Sequence, residues 1–378
     1  MRKILVTVLS LLTLTSFGQQ STLDSDGLVV YPFDIESTDP YNLAYLDSII
    51  EPYNIFGLAE YHWNETTLKE EKKFLKYLST RKSIDKIVIE RPFTYSYWLN
   101  DYLSSGDTIL LKSITDKVWR FDYWQKKDIR YVNYYEFYKW LYDFKKNNNL
   151  DFIMVGIDPT QSFDGSLELW SIKQFIDKYE LSAYFPATYP LLEKLSNEEP
   201  PKSSELKKWA KKFDLEMKKS THQIENKLKK DYQVFLKFSD GIEAVLHYRN
   251  GRNSEFREPK MTKNFISEIK PTDIVYAQFG HPHLALTAGA RYKGVGFMSD
   301  VVKSPNFESK VLSIYFLCKG CKGRGGLTGH RGIFTEEEYV KIYDSIEDES
   351  VLIDFRNAKN SFSDVKQYFQ MSIFLSGE

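Results

Sequence analysis

The chain has 378 residues, 42% of them hydrophobic, which allows one large α/β domain with an insertion or two ordinary domains, and a sizeable core in either case. Lys and Arg number 51 against 52 Asp and Glu, so no overall field draws the chain to nucleic acid or to an anionic membrane, and nucleic-acid binding is not expected. Aromatic residues reach 16%, which suits a thick core or a cleft for a large, flat or apolar ligand.

The first residues read as a secretory signal: Arg2 and Lys3, an apolar run from Ile4 to Leu14, then Ser16-Phe17-Gly18 with small residues at the positions that cleavage after Gly18 requires. That run is too short to span a bilayer, and no later stretch is apolar for long enough. No cysteine follows it where a lipid anchor would attach. The expectation is an exported protein, periplasmic or secreted, without a membrane span. Residues 1–18 would be the signal peptide and 19–378 a single α/β domain.

A helix is expected over Asn42 to Ile50, and then a buried strand begins at Ile55. Its apolar run ends in Glu60, His62 and Glu65, and a helical pattern follows at once with Leu68, Phe74, Leu75 and Leu78 on one side. Ile87-Val88-Ile89 is a second strand, stopped by Glu90-Arg91-Pro92 because proline cannot continue the ladder. From Phe93 to Phe144 aromatic residues recur at three- and four-residue spacing, a pattern of packed helices in which a minority of rings could line a cleft. Phe152 to Ile157 is a third strand, apolar throughout, as befits a strand covered on both faces, and it ends at Asp158-Pro159.

Residues about 166–250 read as a helical insertion, with Leu206, Trp209, Phe213, Met217, Ile224 and Leu228 on one side and lysines on the other. A fourth strand, Ile274 to Phe279, ends in Gly280-His281-Pro282-His283, and two more apolar runs follow at Val311 to Leu317 and Val351 to Ile353. The alternation of strand and helix predicts an α/β fold, a mostly parallel sheet covered by helices on both faces, with one large helical interruption. Two cysteines, Cys318 and Cys321, fit a small disulfide loop better than a zinc site, for which His330 is the one nearby additional ligand.

If the sheet is parallel, the strand ends bearing Glu60 and His62, Glu90, Asp158, and His281 and His283 lie along one edge, where α/β folds bind ligands. Two chemistries fit these residues. In one, Glu60 or Glu90 orients His62 while it takes a proton from water, and His283 steadies the oxyanion or protonates the leaving group, which hydrolyses an ester or lactone. In the other, Glu60, His62 and His283 bind a divalent metal that acidifies the water, with Glu90 as general base. The spacing does not choose between them. No G-x-S-x-G elbow supplies a serine nucleophile. The partner in either case is a small-molecule substrate or ligand.

The stretches G-L-A-E-Y-H-W-N-E (Gly57 to Glu65), I-V-I-E (Ile87 to Glu90), M-V-G-I-D (Met154 to Asp158), R-E-P-K-M-T-K-N (Arg257 to Asn264) and Q-F-G-H-P-H (Gln278 to His283) resemble the erythromycin esterase-like family. That family sits in a wider superfamily with haem-binding ChaN-like and TraB/Tiki-like proteins. The resemblance implies that His62, Glu60, Glu90 and His283 stand at the catalytic positions, with Arg257 near the site; Arg257, Asp158, Glu65 and His281 are the residues expected to hold substrate. One residue, Tyr61, separates Glu60 from His62, where the esterases carry two, and Trp63 replaces the glycine that follows their histidine. This shorter form is similar to the ChaN-like branch and implies haem or another flat ligand as the alternative to hydrolysis.

Overall fold

The computed structural model describes residues 21–23, 26–34, 36–37, 39–60, 65–119, 129–159, 165–197, 202–249, 253–289, 296–318, 333–346 and 350–375. The expected signal peptide, His62, Cys321 and His330 lie outside these residues, as do the side chains of Glu65 and Cys318.

Among the described residues nine strands form one sheet: β1 (Ser21–Leu23), β2 (Leu28–Pro32), β3 (Ile55–Glu60), β4 (Lys86–Ile89), β5 (Ile153–Gly156), β6 (Val275–Gly280), β7 (Val311–Cys318), β8 (Val351–Asp354) and β9 (Met371–Leu375). Their spatial order is β1-β2-β8-β9-β7-β3-β6-β4-β5. The six strands from β9 to β5 run parallel, whereas β8 pairs antiparallel with both β9 and β2, and β2 likewise with β1. The mostly parallel α/β sheet is therefore as expected. Three strands, β1, β2 and β9, add to the six that the apolar runs indicate. They are short, and a short apolar run has no period that distinguishes strand from helix.

Helices cover both faces, and the period-two alternation of the central strands sorts their side chains between two cores. Phe56 and Leu58 of β3, Ile87 and Ile89 of β4 and Tyr276 of β6 join one core, with the helices Glu65–Arg81, Phe93–Ser105 and Ile129–Asn147. Ile55 and Ala59, Val88, and Val275, Ala277 and Phe279 join the other, with Met261 and Phe265 of the helix Asn253–Glu268. The aromatic stretch after Phe93 is mostly core: Tyr95, Tyr102, Phe137 and Tyr138 are buried, and Trp98, Tyr134 and Trp140 pack against them.

Between β5 and β6 the helices Ser166–Lys178, Tyr189–Asn197, Ser203–Lys219, Thr221–Leu228 and Tyr232–Arg249 close around a third core, built on Phe175, Phe185, Trp209, Phe213, Phe235 and Phe238. The expected apolar stripe of Leu206, Trp209, Phe213, Met217, Ile224 and Leu228 is buried there.

The order of connections fixes where a ligand can reach. After β3 the chain moves two places to β4 and on to β5, returns to fill the gap with β6, then crosses to the opposite side of β3 with β7. That reversal makes the carboxyl ends of β3 and β6 the switch point of the sheet, the place where open α/β sheets bind ligands. Glu60, Glu90 and the segment His281–Leu284 stand there.

Candidate active site

Glu90 is the first residue past β4 and is in phase with Val88, so it turns to the face of the second core. Only 6% of it is exposed. Its Oε2 accepts the backbone N–H of Gly280 at 2.8 Å, and its Oε1 accepts from Nη2 of Arg257. Asp158, fully buried beyond β5, takes Arg257 Nε at 3.1 Å and Nη2 at 2.5 Å, so one guanidinium ties together the ends of β4 and β5.

Arg257 reaches this point because its helix is pinned against the sheet. Met261 and Phe265 bury in the second core, and Asn264, two turns on from Arg257 and on the same side, donates to the carbonyl of Ile157 at 2.8 Å. Burial opposes the charge on Arg257, but the Asp158 and Glu90 carboxylates more than offset it and raise its pKa above the ordinary value, so it remains a permanent cation.

His283 follows β6 in a short 3₁₀ turn and is 8% exposed. Its Nδ1 lies 3.0 Å from Oε1 of Glu258, and its Nε2 lies 3.4 Å from Oε1 of Glu90 and 3.2 Å from Nη1 of Arg257. A neutral ring would accept from Arg257 at Nε2, whereas an imidazolium donates to both carboxylates. Two carboxylates against one guanidinium decide for the imidazolium: burial lowers its pKa, the charge of Glu90 and the bonds to Glu258 and Glu90 raise it, and the net value is about 10. Glu258 is itself held by the backbone N–H of Phe297 at 2.9 Å. Gly296 lets that segment pass, since a Cβ there would stand 2.1 Å from the carbonyl oxygen of Pro282.

Glu60 goes the other way. In phase with Phe56 and Leu58, it turns to the face of the first core, where the hydroxyl of Tyr134 donates to its Oε2 at 3.1 Å. The guanidinium of Arg91 lies over the ring of Tyr134 at 5.4 Å. Burial and the neighbouring Glu60 hold the Tyr134 hydroxyl well above its ordinary pKa, so it stays a donor. The same face buries Glu70 and Glu71 on the helix Glu65–Arg81. Both oxygens of Glu70, Oε2 of Glu71, the Tyr276 hydroxyl and Nε2 of Gln278 lack a hydrogen-bond partner among the described residues. Burial first, then Glu71 beside Glu70 and Glu60 beside Glu71, push both carboxyls well above the usual range.

The structure thus gathers Glu90, Asp158, Arg257 and His283 into one ionic cluster and places Glu60 across the sheet edge. The separation is small, because Glu60 pairs in register with Gly280, whose N–H meets Glu90. His281 sets its ring edge-on to Tyr315, 5.7 Å between centroids. His62 falls in the undescribed stretch directly after Glu60. Sequence reasoning missed Glu258 and Tyr134. Glu258 could have been found from its place beside Arg257, whereas Tyr134 is one tyrosine among many and carries no local signal.

For a metal bound by Glu60, His62 and His283, His283 would have to surrender a nitrogen now engaged with Glu90 and Arg257 or with Glu258. Among the described residues no three His, Cys, Asp or Glu side chains gather in a metal-binding arrangement.

No protein-family model and no curated protein matches the chain. Solved structures do. An erythromycin esterase mutant, EreC in its open conformation, superposes with a TM-score of 0.59 at 14% identity, over 90% of this chain and 94% of the other. A succinoglycan biosynthesis protein superposes equally well, 0.59 at 13% identity, over 92% of this chain and 94% of the other. ChaN of Campylobacter jejuni, solved with cofacial haem, reaches 0.35 at 15% identity over 78% of this chain and 91% of the other, too loose a superposition to carry anything across. At these identities the likeness is one of fold.

Proposed function

We propose that the protein is an exported hydrolase of esterase type, acting on an ester or lactone. The observation that carries this reading is the position of His283 at the carboxyl edge of the sheet, its two ring nitrogens facing Glu90 and Glu258 in an arrangement that favours the imidazolium, with Arg257 beside it. A buried cation with an exchangeable proton, fixed on a rigid frame, is what a developing oxyanion and a departing alkoxide need. His283 then serves as the acid and not as the base, since a ring charged up to about pH 10 cannot take a proton from water at neutral pH.

The base falls to His62, two positions after Glu60 in the sequence, with Glu60 orienting it and Tyr134 fixing Glu60. Water loses a proton to His62 as its oxygen adds to the ester carbon; His283 and Nη1 of Arg257 steady the oxyanion. The C–O bond to the alcohol breaks, and His283 delivers its proton to the leaving oxygen. Asp158 anchors Arg257 throughout. The shared fold with an erythromycin esterase supports the reaction class, and the basic and apolar residues 2–14 support export.

The test is a panel of aryl, alkyl and lactone substrates with the mature protein, His62→Ala and His283→Gln. Each substitution is expected to lower turnover by about 100-fold or more, with the fold retained. Turnover indifferent to both substitutions, or none on any ester or lactone, would sink the proposal.

A further inference from the structure

The helical arm after β5 carries a charge that the rest of the molecule does not use. Between Lys202 and Asp231 lie ten lysines and five acidic residues, in a chain whose formal net charge is −1. Four of those acids are occupied locally. Glu205 accepts the backbone N–H of Lys202 at 3.3 Å, Asp214 pairs with Lys218 at 2.6 Å, Glu216 takes Ala187 N–H at 2.8 Å together with the Thr188 hydroxyl, and Asp231 takes the Tyr179 hydroxyl. Lys207, Lys208, Lys211 and Lys212 are exposed and make no ion pair among the described residues. On the helix Ser203–Lys219 they form two like-charged pairs, each one turn apart, which repel one another.

The composition of this face narrows its partner. Between Lys202 and Asp231 there is no arginine, so the face offers point charges and no bidentate fork that would select one anion geometry. Trp209 and Phe213 are buried in the third core, so no aromatic of this helix is left for a nucleic-acid base to stack upon. Leu206 and Met217 are buried with them, which uses the apolar stripe a helix would need to sink into a bilayer, and Leu215 alone among its large apolar residues is exposed. Protein interfaces are poor in lysine and rely on apolar or aromatic anchors, which this face lacks. What remains is attraction to charge without demands on shape.

We propose that the Lys207–Lys212 face docks a flexible soluble polyanion with carboxylates along its length, an acidic polysaccharide. Such a chain neutralises the four ammonium groups and releases its counterions, so its binding is steeply salt-dependent. Nothing in this rests on the hydrolytic site.

The experiment titrates the mature protein with polygalacturonate across a salt series starting near about 50 mM. The test variant carries Lys207→Gln, Lys208→Gln, Lys211→Gln and Lys212→Gln; the control carries Lys112→Gln, Lys270→Gln, Lys303→Gln and Lys359→Gln. The test variant is expected to bind at least about tenfold more weakly, with the slope of log K against log salt reduced by about three, the single-strand value for four lost contacts, while the control stays within about twofold. A Lys→Glu set at the same four positions should abolish binding, and circular dichroism confirms that each variant is folded. Absence of binding at the lowest salt, equal binding by test and control variants, or tighter binding of single-stranded DNA or phosphatidylglycerol vesicles would each overturn the assignment.

Discussion

Nδ1 of His283 stands 3.0 Å from Oε1 of Glu258, a carboxylate delivered by the helix that also delivers Arg257. One helix therefore brings both the cation that competes with the imidazolium and the anion that stabilises it. Burial opposes the charge, Glu90 and Glu258 restore it, and the result is a pKa raised from 6.5 to about 10. A histidine whose folded pKa is raised contributes stability that is complete below its unfolded value and lost as pH climbs through the folded one. The chain should therefore lose stability between about pH 6.5 and pH 10 through this residue. Following the six histidine rings by nitrogen-detected NMR should show one titrating near pH 10, and Glu258→Gln should bring that midpoint down by about one pH unit or more. A His283 that titrates near its ordinary value in the wild type would contradict the arrangement.

Arg257→Ala leaves Asp158 and Glu90 buried without their shared cation. The expected loss is about 3–5 kcal/mol, read as a lower urea midpoint, because an uncompensated buried charge costs more than the pair gains. Adding Asp158→Asn should recover part of that loss, and Arg257→Lys should fail to replace the arginine, since an ammonium cannot serve two carboxylates in one plane.

Glu70 and Glu71 invert the usual acid behaviour. Their carboxyls are protonated in the folded chain at pH values where the unfolded chain has released both protons, so the folded state binds more protons and stability falls as pH rises above about 4.5. Each group contributes roughly 1 kcal/mol per pH unit to that decline. Glu71→Gln and Glu70→Gln should flatten the slope and raise the melting temperature most at alkaline pH. Variants less stable than the wild type at pH 9 would contradict the upward shift of these carboxyls.

Gly156 ends β5 against the turn after Glu90. A Cβ there would lie 2.4 Å from the carbonyl oxygen of Pro92 and 2.6 Å from that of Arg91, backbone atoms that cannot yield without moving the turn. Gly156→Ala should cost about 1–3 kcal/mol in denaturant unfolding. It should also weaken ester turnover, because Glu90 and Asp158 flank the contact.

Tyr134→Phe removes the hydroxyl that meets Glu60 at 3.1 Å and leaves the ring in place. The expected result is a fall in kcat of about tenfold or more with little change in KM, the scale of a lost hydrogen bond to a charged group. A change confined to KM would mean that Tyr134 touches substrate instead.

Much of this was legible in the residues. Apolar runs bounded by Glu90-Arg91-Pro92 or Asp158-Pro159 read as strands of a sheet covered on both sides, and the alternation with helices implies parallel pairing. The buried stripe from Leu206 to Leu228 was readable from its period alone. β1, β2 and β9 were not, since each is short: β1 pairs with its neighbour β2, and β2 is tied into the sheet through β8, remote from it in sequence, which bridges it to β9.

The candidate site divides in the same way. Residue type and strand ends determined by themselves that Glu60, Glu90, Asp158 and His283 lie along one sheet edge, and the family resemblance added Arg257. Which of them touch was a matter of one residue's phase. Glu90 in step with Val88 turns to Arg257 and His283, and Glu60 in step with Phe56 and Leu58 turns to Tyr134 and the buried acids. The charge of His283 was likewise hidden in sequence, because it depends on Glu90, 193 positions away, and on how dry the pocket is. Sequence sets the order of groups along each strand; only the packed sheet sets the distances and the dielectric through which their charges act.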